Sequence, residues 1–159
     1  RKESSAASDV YKRQVLELSK VFKQVKNERL RVIQFLRFQK AADGTYFAAL
    51  KPLYNVLSLV IPYLQDRFAD QQWLLYDLKR EYGYYYDLTT VTEVHFEQKE
   101  GHLLTGFLDE SIMDQDEKLF QQLWQTYFKT IAIKERLNPK LHRQNLPARF
   151  WKYLTEKRK

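Results

Sequence analysis

The sequence predicts an α+β fold: an antiparallel sheet of four to five strands built from hairpins, packed by helices, with a helical C-terminal region. Three observations predict it. Short runs rich in β-branched and aromatic residues recur between residues 31 and 96, separated by turn residues. Apolar residues at helical spacing flank those runs. Hydrophobic residues make up 44% of the 159 and aromatic residues 15%, enough to fill a core.

The elements follow in order. Val15, Leu18, Phe22 and Val25 form one stripe of an amphipathic helix ending near Asn27. Arg31–Gln39 and Thr45–Leu50, around Asp43-Gly44, read as a β-hairpin closed by Pro52. Asn55 is placed to cap a helix carrying Val56, Leu57, Val60, Ile61, Leu64 and Phe68, with a kink or break at Pro62. Gln72–Arg80, Tyr84–Asp87 and Val91–Phe96 read as three further strands, joined by short turns into an antiparallel sheet with helices on one face. A helix opens at Asp114 with Glu117 in the capping-box position, and Leu119, Phe120, Leu123, Trp124, Tyr127, Phe128 and Ile131 give it a broad apolar face. Asn138-Pro139 interrupts it, and Pro147 starts a last short helix with Phe150, Trp151 and Leu154.

Residues 15–105 are expected to form the α+β core, and 106–159 a basic helical region packing on the same domain. Ser4–Gln14, SSAASDVYKRQ, resembles translated sequencing-adapter sequence found at the ends of reading frames from metagenomic assemblies. Residues 1–14 are therefore expected to be a non-native or disordered extension, and the chain a truncated fragment whose natural sequence begins near Val15.

Cysteine is absent, which excludes disulfides, thiolate metal sites, cysteine nucleophiles and iron–sulfur ligation, and fits a cytoplasmic location. No apolar run approaches the roughly 18–20 residues that span a bilayer, so no membrane partner is expected. The four glycines, at 44, 83, 101 and 106, make no phosphate-binding loop. The three histidines, at 95, 102 and 142, have no recognised metal spacing. Neither a cofactor nor a metal is expected.

The net charge of +7 is unevenly distributed. Lys129 to Lys159 holds ten basic residues against Glu135 and Glu156, a net +8, so the rest of the chain is near neutral. A field of that size attracts polyanions. The candidate binding residues are Lys134, Arg136, Lys140, His142, Arg143, Asn145, Arg149, Trp151 and Lys152. The cations would hold phosphates, Asn145 would meet a base edge, and Trp151 or Phe150 would stack on an unpaired base. Packing onto the domain is the alternative for the two aromatics, and an acidic protein partner the alternative for the charges. Tyr82, Tyr84, Tyr85 and Tyr86 suggest either cross-strand packing or, with Arg37, a stacking platform on the sheet. Asp77 and Asp87 are a possible carboxylate pair across a hairpin, with solvation or pairing to Lys79 and Arg80 the ordinary alternative.

Three blocks carry a family resemblance: FLRFQKAADGTYFAALKP, DRFADQQWLLYDLKREYGYYYD and WQTYFKTIAIKERLNPKLHRQNLPARFWKYL. They resemble the bacterial "probable DNA metabolism protein" family, whose core is a domain of unknown function, from about Val15 to Glu156. RQNLPARFWKYL is the most specific stretch. Tyr63-Leu64 stands where the family pattern implies a His-Phe pair. The resemblance implies a further N-terminal region, a radical-SAM protein labelled a DNA modification or repair enzyme encoded alongside, and fusion of similar domains to a uracil-DNA-glycosylase-like domain. It implies DNA repair or modification by association and assigns no reaction. The expected function is thus a nucleic-acid-associated accessory domain, with DNA as partner. The alternatives are an interaction module for the radical-SAM protein, and an enzyme acting on DNA or a nucleoside through Asp77, His95 or a tyrosine.

Overall fold

A computed structural model describes residues 2–97, 101–132 and 138–158. It is α+β, with a five-stranded sheet in the order β1-β2-β3-β4-β5. Helix α1 runs Lys2–Phe35; β1 is Gln39–Lys40, β2 Tyr46–Leu50, α2 Leu57–Arg67, β3 Trp73–Asp77, β4 Tyr82–Tyr86 and β5 Val91–Val94. Helices α3 (Gly101–Thr105), α4 (Glu117–Ile131) and α5 (Pro139–Asn145) follow, then 3-10 turns at Ala148–Tyr153 and Thr155–Lys157.

The sheet is mixed. β1–β2, β3–β4 and β4–β5 are antiparallel, but β2 and β3 pair in parallel, Tyr46 opposite Trp73 through Leu50 opposite Asp77. The wholly antiparallel expectation fails there because α2 carries the chain back to the start of the next strand, the crossover that parallel neighbours require. The Asp43-Gly44 turn does form, with Gly44 at φ +88° and the Asp43 carboxylate accepting from Thr45 N–H at 2.8 Å. Its first strand is only two residues long. Arg31–Phe35, expected as strand, is the last turn and a half of α1. Val32 is wholly buried there, one heptad beyond Val25, so the helical stripe continues and overrides the local β propensity.

Helix α2 also departs from expectation at two points. Val56, not Asn55, is its N-cap, and Asn55 accepts a hydrogen bond from the Tyr82 hydroxyl instead. The helix continues through Pro62. The missing N–H would have met the carbonyl of Ser58; both residues are exposed, so water can take its place.

Side-chain alternation divides the interior in two. Ala48, Leu50, Trp73, Leu75, Tyr82 and Tyr86 face α2, the end of α1 and Phe150 and Tyr153 of the first 3-10 turn. Phe47, Ala49 and Tyr76 face the other way, onto Leu103 and Leu108. Both faces are therefore covered, not one. The buried Gln39 amide ties the second layer to the sheet edge, donating to Gly106 C=O and accepting from Leu108 N–H, both at 3.1 Å.

The tyrosines are mainly packing groups. Trp73 stacks on Tyr86 with centroids 5.3 Å apart, Tyr82 meets Tyr84 edge-on, and Arg37 turns away to Glu156. Asp77 and Asp87 do not face each other, since the β3–β4 register sets Asp77 opposite Tyr82. Asp77 is fully buried and bonded to Arg80 at 2.8 Å, while Asp87 caps the β4–β5 turn through Thr89 and Thr90.

Candidate nucleic-acid interface

The basic segment folds locally as its sequence directs. Asn138 caps α5, accepting from Leu141 N–H at 3.0 Å, and Pro139 occupies the first turn, where its missing N–H costs nothing. Lys140 and Arg143, three apart, share one face of α5 and are exposed. Pro147 then turns the chain into the 3-10 helix that delivers Phe150, Tyr153 and Leu154 to the core.

The predicted residues separate on this scaffold. Lys140, Arg143, Asn145 and Lys152 are exposed, and Lys152 lies 4.8 Å from the Tyr153 ring centroid. Arg149 is different. Its guanidinium makes a two-pronged ion pair with Glu28 of α1, one bond measuring 2.7 Å, and Glu28 is only 1% exposed. Burial pushes the Glu28 carboxyl up, but hydrogen bonds from Arg149 and Leu53 N–H, with the Arg149 charge, outweigh it and hold it below its usual range. Arg149 is thus a structural cation, already neutralised within the fold. Lys134 and Arg136 lie outside the described residues.

His142, Arg143, Asn145 and Trp151 meet at a pocket of about 710 Å³ between the C-terminal ends of α1 and α4, helix α5 and the 3-10 turns. Gln34, Phe35, Phe128, Asn138 and Lys157, none of them a predicted site residue, also line it. Phe128 was legible only as part of an apolar helix face, and Lys157 only as one charge among ten. Trp151 is half-buried and donates to Leu146 C=O at 3.0 Å, so it forms a wall. Burial, and the nearby Lys157 charge, lower the His142 pKa.

Helix α4 stands on the second 3-10 turn. The Glu156 carboxylate accepts from Arg37 at 2.8 Å and from the Trp124 indole at 3.0 Å, and Gln125 donates to Thr155 C=O at 2.9 Å. The apolar face expected to pack inward is turned outward: Phe120 is 64% exposed and Tyr127 54%, and α4 buries no residue. The stripe on α1 behaves alike, with Val15, Leu18 and Phe22 exposed and only Val25 onward reaching the core.

Among the described residues no three His, Asp or Glu side chains are grouped to hold a metal ion. His95 is exposed beside Glu93 at 3.1 Å. No described helix is long and apolar enough to cross a membrane. No curated protein and no solved structure matches the chain. The family model described as a domain of unknown function, DUF4130, matches residues 1–156. The chain belongs to this DUF4130 family.

Proposed function

We propose that this domain is a nucleic-acid-associated accessory module, working in DNA repair or modification, that holds a phosphate backbone on its C-terminal surface. The observation that carries the reading is the placement of Lys140 and Arg143 on one exposed face of α5, with Lys152 also exposed and Lys157 at the pocket below. Such cations release counterions when they meet phosphates, which gives affinity with little sequence preference. The DNA context rests on the family resemblance.

The test is binding of single- and double-stranded DNA across a salt titration, for the wild type and a Lys140→Glu/Arg143→Glu variant. Affinity that falls steeply with salt, and that the double reversal lowers at least about tenfold at low salt, is the expected result. Absent binding at low salt, or binding unaltered by the reversal, sinks the reading.

A second reading has its own support. The outward apolar face of α4 (Phe120, Leu123, Trp124, Tyr127 and Ile131) suits a protein surface, and the radical-SAM protein or uracil-DNA-glycosylase-like domain implied by the resemblance is the proposed partner. Co-purification with that partner after nuclease treatment, abolished by Leu123→Asp/Tyr127→Asp, is its expected signature. Co-purification that nuclease removes excludes it.

A further inference from the structure

Surface cations hold any chain of phosphates, but the pocket beneath α5 has a narrower chemistry. Phe35 from α1, Phe128 from α4 and Trp151 from the first 3-10 turn give it flat aromatic walls, and Leu141 from α5 adds an aliphatic one. Its volume of about 710 Å³ is that of a small-molecule site. Flat aromatic walls suit the π-face of a base, whatever its identity.

One cation is built into those walls. The Lys157 ammonium lies 5.0 Å from the Phe128 ring centroid and 5.5 Å from that of Trp151. No carboxylate among the described residues pairs with it. Arg143 adds a second cation at the α5 side. The polar groups are few. Asn145 and Gln34 each offer an amide, able to donate and accept at a base edge. His142 has a buried Nε2 with no hydrogen-bond partner within the described structure.

A ligand that is flat, polar at its edge and singly or doubly anionic meets the aromatic walls, the two amides and the two cations together. We infer that the pocket takes one unpaired nucleotide of a nucleic-acid strand, its base against Phe35, Phe128 and Trp151 and its phosphate on Lys157 and Arg143. The inference rests on the nucleic-acid reading above and adds a demand for an exposed base. It places the domain on single strands, strand ends or extruded nucleotides, not on an intact duplex.

The test separates the pocket from the surface. An oligothymidylate and an abasic oligomer of equal length and charge are titrated against the wild type and against Asn145→Trp. This substitution fills the pocket from an exposed position without changing charge, and its denaturation midpoint is checked against the wild type. The wild type should bind the base-bearing strand about tenfold more tightly, the scale of one stacked base. Asn145→Trp should bind both strands with the abasic affinity and the wild-type salt slope. Equal wild-type affinity for the two strands, with the salt slope intact, overturns the pocket and leaves the surface reading standing, as does a base preference that survives Asn145→Trp. Failure to bind either strand at low salt overturns the parent reading itself.

Discussion

Two parts of the C-terminal region have opposite relations to the fold. From Arg149 to Arg158 the chain is anchored: Phe150, Tyr153 and Leu154 are buried, Arg149 is locked to Glu28, and the Arg158 guanidinium lies 3.9 Å from the Phe107 ring centroid. From Glu117 to Ile131 and from Pro139 to Asn145, neither α4 nor α5 buries a residue, and Lys140 and Arg143 face solvent. The difference teaches that charge counted along a sequence is not charge available to a ligand. Among the described residues Arg149 is consumed inside the domain, while Lys140, Arg143 and Lys157 lie on and below α5.

The largest expected effect breaks the anchored part. Arg149→Ala leaves the Glu28 carboxylate buried and unpaired and should cost about 3–5 kcal/mol in urea denaturation, whereas Arg143→Ala should stay within about 0.5 kcal/mol. The apolar version of the contrast is Phe150→Ala, expected to cost about 3 kcal/mol, against Leu123→Ala on α4, expected to cost less than about 0.5 kcal/mol. Similar losses in both parts would erase the distinction.

A pH series sharpens the same contrast. The folded Glu28 carboxyl is held below its ordinary 4.5, as is that of Glu156, where Arg37 and Trp124 overcome burial. A depressed carboxyl contributes stability that is complete above its unfolded pKa and is lost as pH falls through the folded one. Urea midpoints should therefore fall below about pH 4.5, and more shallowly in Glu28→Gln. An unchanged slope in that variant would show that the pair does not govern acid stability.

The smallest effect concerns Tyr153, whose buried hydroxyl has no hydrogen-bond partner within the described structure and whose pKa burial pushes up to about 12. Tyr153→Phe removes a desolvated, unsatisfied group and should be neutral or stabilising by up to about 1 kcal/mol. A loss of more than about 1 kcal/mol would mean that the hydroxyl is satisfied in solution.

Much of the fold was legible in short-range chemistry. Trp73–Asp77 and Val91–Val94 carry β-forming residues between turn signals, and Asp43-Gly44 marks its turn. What eluded the sequence depends on distant partners. The parallel pairing of β2 with β3 depends on where α2 sends the chain. Arg31–Phe35 reads locally as strand, and only the burial of Val32 against the core reveals the helix. Periodicity identified the apolar face of α4 but not that it is turned outward. At the site, Lys140 and Arg143 were legible as charges, while the fate of Arg149 hung on Glu28, 121 residues away. Phe35 and Phe128 reach the pocket from separate helices, and no local motif joins them.

The central proposal is that nucleic acid meets the cations on and below α5, and not those spent inside the domain, as Arg149 and Arg158 are. The slope of log K against log salt for a single-stranded oligomer tests it most directly, measured for the wild type, Lys140→Gln/Arg143→Gln and Arg158→Met. Each lost phosphate contact should reduce the slope by about 0.7. The α5 double variant should therefore lose roughly 1.4 from the slope while Arg158→Met matches the wild type. A slope unaltered in the α5 variant, or reduced equally by Arg158→Met, would contradict the account.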